Sequence, residues 1–162
     1  MSTMASLADL PSKYRLFVRT YRWHRIDPTP FTPLEKPLDQ ARIALVSTAG
    51  LSLPGKPFDE TVRGGDFSFR EIPASVDPGR LIGSHRSDAW DQSGADRDAN
   101  VAFPIDRIRE LRTSGTIGEV NHRHLSFMGS ITAPARLLRT TAPAAAQLFV
   151  DDRVDAVLLI PV

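Results

Sequence analysis

The residues best suited to acid–base chemistry lie in one polar stretch, residues 77–100. His85 is followed closely by Asp88, and Asp98 lies further along the same stretch. An imidazole held by a carboxylate can transfer a proton, so His85 with Asp88 or Asp98 is the predicted acid–base pair. The structural alternative is a loop in which Asp and Asn side chains hydrogen-bond to nearby backbone groups. Both interpretations remain open at the level of sequence.

Other chemistries have weaker support. A metal-dependent hydrolase would draw its ligands from residues whose spacing matches no strong ligand pattern, so no metal site is assigned. Those residues are His85, Asp88, His122 and His124. The chain contains no cysteine, which excludes disulfides, thiolate metal sites and a cysteine nucleophile within these 162 residues.

Composition predicts an ordinary globular protein. The net charge of +1 and the charged fraction of 24% give no field typical of nucleic-acid or membrane binding. No apolar run approaches the roughly 20 residues of a bilayer span, and the first residues do not resemble a signal peptide. We therefore expect a cytoplasmic protein with neither nucleic acid nor membrane as a partner.

Strands and helices alternate along the second part of the chain. Residues 41–48 are continuously apolar at their centre, residues 67–72 alternate, and residues 154–162 have the composition of a buried strand. Pro104 and Gly115 bracket one predicted helix, with Ile105, Ile108 and Leu111 on its buried side. A further helix begins near Thr132 and breaks or restarts at Pro143. This order predicts an α/β fold with a mostly parallel, Rossmann-like sheet flanked by helices and incomplete at the carboxyl terminus.

Two regions are predicted. Residues 1–38 form an arm, with an amphipathic basic helix within residues 9–26 and a connector in which prolines at 28, 30 and 33 oppose helix. Residues 39–162 form the α/β domain. The arm's basic face is a candidate surface for an acidic partner, and a solvated helix face is the simpler interpretation.

An ordered set of short motifs resembles a known family over about residues 40–162. The set consists of residues 42–50, the run Gly65 to Pro73, Ser84-His85, Asp98-x-Asn100, the run Phe103 to Leu111, Gly115-x-Ile117-Gly118 and Ser126 to Gly129. Its order is similar to that of the glycine/sarcosine/betaine reductase selenoprotein B family, which includes the D-proline reductase selenocysteine subunit.

The resemblance implies a selenol- or thiol-dependent reductase subunit that cleaves a carbon–nitrogen bond of an amino acid or betaine-like substrate. It also implies partner reductase subunits, one of which carries a pyruvoyl group in some complexes. The family's nucleophile, a selenocysteine or cysteine, follows a strand equivalent to residues 155–162. This sequence has neither residue, so we expect truncation at a selenocysteine codon after Val162. The cofactors then lie outside this chain.

In a reaction of this kind the polar residues have candidate roles that follow from their chemistry. His85 would protonate the leaving group and Asp88 or Asp98 would orient it, whereas Arg70 or Arg107 would bind a substrate carboxylate bidentately. Asn100 is assigned to the same substrate site. Without a following helix and strand, residues 154–162 would have an uncovered face or edge, which favours self-association into a homo-oligomer. A non-catalytic scaffold that binds through residues 1–38 is the alternative function.

Overall fold

The computed structural model describes residues 7–21, 25–84 and 92–162. His85 and Asp88 lie outside these ranges. The chain divides into two compact units, Met1–Pro33 and Leu34–Val162. This division falls between residues 33 and 34, whereas the sequence placed the boundary between residues 38 and 39.

The described residues of the first unit form the α-helix α1 (Ser12–Thr20), preceded by a 3₁₀ turn at Leu7–Asp9. The helix is shorter than the predicted range 9–26, because the backbone is already extended at Tyr21. No residue of α1 is buried. Its apolar side chains therefore lie on a helix face that is open to solvent.

The second unit is built on a five-stranded, mostly parallel sheet and a two-stranded ribbon. The strands are β1 (Arg42–Ser47), β2 (Leu51–Ser52), β3 (Phe69–Pro73), β4 (Ile82–Gly83), β5 (Glu119–Val120), β6 (Arg123–Phe127) and β7 (Ala156–Ile160). The ribbon pairs β2 with β4. In the main sheet β1 is central and runs parallel to β5, β6 and β7, whereas β3 is antiparallel to β6. The mostly parallel sheet is confirmed, with β3 as its antiparallel member.

Within residues 34–84 and 92–162 this unit has three α-helices: α2 (Ser93–Arg97), α3 (Ile105–Thr113) and α4 (Ala142–Asp151), the last preceded by a π-helical segment at Leu137–Thr141. The alternation of β1 decides where the helices pack. Ile43 and Leu45 belong to one core cluster with Ile105 and Ile108 of α3. Ala44 belongs to a second cluster, which contains Ala145 and Phe149 of α4. The sheet is thus covered by helices on both faces, which confirms the predicted fold class.

Two predictions of burial were wrong. Leu111 of α3 is 38% exposed, and β7 exposes Val157 at 36%, Leu158 at 44% and Leu159 at 67%. Among the described residues β7 pairs only with β1, so the apolar composition of this strand is not matched by burial. An uncovered face on this strand was the other expectation from the sequence, and it is observed.

A polar network joins the amino end of the sheet to α4. Arg123 of β6 binds the Asp152 carboxylate through two nitrogens, at 2.7 and 2.6 Å, and Asn121 donates to the same carboxylate at 2.9 Å. The hydrogen bonds from Arg123 hold the pKa of Asp152 well below its usual range. This network lies opposite the sheet edge at which parallel α/β proteins place their chemistry.

No helix within the described ranges has both the length and the apolar composition needed to cross a membrane.

Candidate functional site

The carboxyl end of β1 joins both neighbouring strands through the turn Thr48-Ala49-Gly50. The Thr48 amide donates to Ile160 O of β7 at 3.1 Å, and the Gly50 amide donates to Phe127 O of β6 at 2.8 Å. The Thr48 hydroxyl accepts from the Val162 amide at 2.9 Å. Three parallel strands therefore end around one turn, which is where open α/β sheets bind their ligands.

The same turn contacts the polar stretch identified from the sequence. Ser84, the last described residue before the gap at 85–91, donates its amide to Gly50 O at 2.9 Å. Gly50 has φ of +65°, and a Cβ there would lie 1.9 Å from Ser84 O. Only glycine permits this close approach. The Ser84-His85 motif thus begins at the carboxyl end of β1, although His85 itself is outside the described residues.

Two buried serines face each other in the register of β1 and β6. Ser47 and Ser126 are register partners, and both are fully buried. The Ser47 hydroxyl donates to Ala102 O at 2.7 Å. The Ser126 hydroxyl has no hydrogen-bond partner among the described residues. This hydroxyl lies near the carboxyl ends of β1 and β6 and has no assigned role.

Asp98 and Asn100 are tied into a local network. The Asp98 carboxylate accepts from the Asn100 backbone amide and from its side chain, both at 2.9 Å. Asn100 also exchanges hydrogen bonds with Asp106, donating from Nδ2 at 2.9 Å and accepting from its amide at 3.0 Å. Hydrogen bonds from Asn100 lower the pKa of Asp98. Asp98 is therefore an ionised carboxylate at neutral pH, suited to orienting a cation or an imidazole rather than to donating a proton.

Asp98 and Asn100 also line a cavity of about 350 Å³. Its other polar lining includes Asp77 and Asp96, and Gly83 of β4 forms part of its wall. Arg107 lies close enough to Asp98 to lower its pKa further. The structure thus brings Asp98, Asn100 and Arg107 into one neighbourhood. Whether His85 or Asp88 joins them stays a prediction.

Arg107 itself is exposed. Its guanidinium forms an ion pair with Glu110 at 2.6 Å, and both side chains are 61% exposed. An exposed ion pair of this kind is worth little and is easily exchanged. The guanidinium of Arg107 therefore remains accessible to a carboxylate ligand.

Arg70 has a different environment. It lies on β3, and its guanidinium already donates to neighbouring carbonyl, hydroxyl and carboxylate oxygens. The acceptors are Lys56 O at 2.8 Å, Pro57 O at 2.7 Å, Ser68 Oγ at 2.7 Å and Asp66 Oδ2 at 3.2 Å. A substrate carboxylate would have to displace these bonds. The geometry supports a clamp that fixes the 56–70 loop, and the substrate-binding role of Arg70 stays a prediction.

Of the three histidines of the hydrolase alternative, the two that the structure describes differ sharply in exposure. His122 has a side chain 68% exposed, 3.8 Å from Asp152, whereas His124 is fully buried. His124 Nδ1 accepts from the Leu45 amide at 3.0 Å. Burial, with smaller effects from Arg109 and His122, lowers the pKa of His124 to about 4. His124 is therefore a neutral core residue.

No set of three or more His, Cys, Asp or Glu side chains that could hold a metal is found in the part of the chain that the structure describes. Two of the four ligands proposed for the hydrolase alternative, His85 and Asp88, lie outside these residues, so that alternative stays a prediction.

Sequence reasoning did not single out Thr48 or Ser126 for chemistry. Thr48 ends the apolar run of β1, and a hydroxyl at the carboxyl end of a parallel strand was the available signal. Ser126 had no such signal, because β6 itself was not predicted.

Comparisons with known proteins agree with one another. The model of the family "Glycine/sarcosine/betaine reductase selenoprotein B" matches residues 13–161. The chain is 35% identical over 136 residues to the D-proline reductase subunit gamma of Acetoanaerobium sticklandii, which covers 83% of this chain and 54% of that protein.

Two glycine reductase complex component B gamma subunits are also similar. The one from Carboxydothermus hydrogenoformans is 29% identical, with 82% of this chain and 31% of that protein covered. The one from Symbiobacterium thermophilum is 27% identical, with 88% and 33% covered. The chain thus spans between 31% and 54% of the length of these relatives. No solved structure matches the chain significantly.

Proposed function

Because the chain belongs to the glycine/sarcosine/betaine reductase selenoprotein B family, we propose that it is part of a subunit of a selenol- or thiol-dependent reductase complex. The complex would reductively cleave a carbon–nitrogen bond of an amino acid or a related small molecule. The match across residues 13–161 carries this proposal. The similarity to D-proline reductase subunit gamma makes a cyclic or N-substituted amino acid the first substrate class to test.

The nucleophile is proposed to be a selenocysteine or cysteine directly after Val162 in the full-length protein. The chain has no cysteine of its own. The position fits the fold, because β7 ends beside Thr48 at the carboxyl edge of a parallel sheet. A helix beginning there would stabilise the anionic form of the group through its free amides and dipole. When present, this group supplies the nucleophile, and a pyruvoyl group on a partner subunit is the proposed holder of an amine substrate.

The residues of this chain would bind and orient the substrate. We assign the proton donor to His85, because the residue before it, Ser84, donates its amide to Gly50 O at the sheet edge. Asp88 or the ionised Asp98 would orient that imidazole. Arg107 is the preferred carboxylate ligand over Arg70, since the ion pair that its guanidinium forms with Glu110 is exposed.

The test uses the full-length protein with its partner subunits and a dithiol reductant. Turnover of D-proline, glycine, sarcosine and betaine is measured as loss of substrate and formation of the ring-opened or deaminated product. We expect turnover of at least one of them and a fall of roughly 100-fold or more for His85→Ala. Thr113→Val, a change on the exposed face of α3, is the matched control. A complex that is fully assembled and turns over none of these substrates would count against the proposed reaction class.

A scaffold function has one observation of its own. On α1, Tyr14 is 41%, Leu16 64% and Phe17 49% exposed, and no residue of this helix is buried. Such a helix can dock onto a groove of a partner. The test is deletion of residues 1–38. Loss of a co-purifying reductase subunit from the shortened protein would favour this second function.

A further inference from the structure

The end of β7 is held by a side chain rather than by the sheet ladder. β1 and β7 pair in register from Ile43 opposite Ala156 to Ser47 opposite Ile160. The next residue, Pro161, has no amide hydrogen, so it cannot donate to β1. The following amide, that of Val162, donates instead to the Thr48 hydroxyl at 2.9 Å. The threonine side chain thus takes over where proline interrupts the ladder.

Thr48 is itself fixed on both sides. Its amide donates to Ile160 O at 3.1 Å, and two residues later the Gly50 amide donates to Phe127 O of β6 at 2.8 Å. The Gly50 carbonyl accepts from Ser84. The hydroxyl therefore projects from a turn that is pinned to β6, to β7 and to the start of the His85 segment. A rigid turn of this kind can define the position of whatever it binds.

From this geometry we infer that Thr48 is a positioning residue: its hydroxyl fixes the backbone at Val162 and so places the nucleophile that follows. This inference rests on the proposed function, in which that nucleophile comes directly after Val162. Thr48 acts through the backbone of its neighbour and does not touch the reacting atoms. Through the same turn it is connected to Ser84, whose amide donates to Gly50 O.

The contribution of Thr48 to stability is small by the same geometry. Val162 is 36% exposed, so its amide can bond to water when the hydroxyl is removed, and the backbone bond from Thr48 to Ile160 is unaffected by the side chain. A substitution such as Thr48→Val keeps the shape of the side chain and removes only the hydroxyl, which accepts from the Val162 amide at 2.9 Å and donates to Val162 O at 3.4 Å. The main effect of this substitution is therefore on the position of the group that follows Val162. Misplacement of a reacting group by about 1 Å can lower the rate roughly 100-fold.

The experiment compares Thr48→Val, Thr48→Ser and the wild type in the full-length protein. Thr113→Val is the matched control, because its hydroxyl bonds only within α3, to Arg109 O at 2.9 Å. The probe is iodoacetamide, with its alkylation rate measured from pH 4 to pH 9 and the labelled residue located by peptide mass spectrometry. Turnover and the thermal midpoint are recorded for each variant.

We expect label on the residue after Val162 in all four proteins. For Thr48→Val the midpoint of the alkylation profile should rise by about half a pH unit or more, and the rate below that midpoint should fall about threefold. Its kcat should fall at least about tenfold with KM unchanged. Thr48→Ser and Thr113→Val should match the wild type, and all thermal midpoints should agree within a few degrees.

The outcomes separate the two claims. Label after Val162 with an unchanged profile and kcat in Thr48→Val overturns the positioning role and leaves the proposed function standing. A Thr48→Ser variant as impaired as Thr48→Val also overturns it, because serine keeps the hydroxyl. Wild-type protein with no reactive residue after Val162 overturns the proposed function itself, and the role of Thr48 with it.

Discussion

Acid should destabilise this protein through one buried imidazole. His124 is fully buried and accepts from the Leu45 amide through Nδ1 at 3.0 Å, so it must be neutral in the folded state. Its pKa falls from an ordinary value of about 6.5 to about 4. Between these values the unfolded chain binds a proton that the folded chain does not. Stability therefore decreases as pH falls through this window.

The magnitude follows from the two pKa values. The gap is worth about 3 kcal/mol when complete, and about 2 kcal/mol of it falls between pH 7 and pH 5. Among the described residues, the charges of Arg109 on α3 and of His122 before β6 also disfavour the imidazolium. Phe103 packs edge-on at 5.8 Å and offers no charge.

The perturbation is His124→Asn, which places an amide oxygen near the position of Nδ1 and removes the titration. The free energy of unfolding is measured by urea denaturation at pH 7, 6 and 5 for both proteins. At pH 7 the variant should be less stable, by roughly 1–3 kcal/mol, because part of the buried ring is lost. By pH 5 this deficit should shrink by about 2 kcal/mol, since only the wild type loses the contribution of His124.

Two controls make the result specific. His122→Asn alters an exposed imidazole two residues away and should retain the acid sensitivity of the wild type. His124→Leu removes the titration and the acceptor together, so the Leu45 amide loses its partner at an extra cost of about 1–3 kcal/mol. Equal loss of stability between pH 7 and pH 5 in the wild type and His124→Asn would refute the reasoning.

Three other substitutions test the remaining contacts. Gly50→Ala should prevent stable folding or lower the thermal midpoint by well over 10 °C, because its Cβ would lie 1.9 Å from Ser84 O; a midpoint near that of the wild type contradicts the described turn. Asp152→Asn should cost about 2 kcal/mol at pH 7, and the difference should narrow below about pH 4, where the unfolded wild-type chain binds a proton at this carboxylate while the folded chain keeps it ionised. Urea titration checks this, and a constant difference would speak against an ionised pair with Arg123. Arg70→Gln should cost about 1–2 kcal/mol by releasing the carbonyls of the 56–57 loop. A free energy of unfolding unchanged by this substitution would leave Arg70 available for substrate.

The sequence predicted the elements that have a continuous apolar run or clear boundary residues. β1 is apolar at its centre because both of its faces are covered by helices, and α3 is bounded by Pro104 and Gly115. The α/β class followed from these elements. β6 was missed because two of its buried residues are polar, namely His124 and Ser126. Their burial depends on partners far along the chain, such as Leu45, which a local pattern does not contain.

The burial of a strand and the contacts of a side chain also could not be predicted from the local sequence pattern. β7 has the apolar composition of a buried strand, yet three of its five residues are exposed. Composition shows that a strand could be buried, but it does not show which elements pack against that strand. Within the site, Asp98 and Asn100 were found by residue type, but their mutual bonds depend on Asp106 and on the turn that joins them. The engagement of Arg70 by the 56–57 carbonyls required the fold of a loop that the sequence left undefined.

The most direct measurement of the central claim is the gene sequence and peptide map of the full-length native protein beyond the codon for Val162. The family membership and the position of β7 predict a selenocysteine or cysteine as the next residue, followed by a helix-forming segment. A native protein whose next residues contain neither, or whose reading frame closes there with an ordinary terminator and unrelated sequence beyond it, would contradict the proposal.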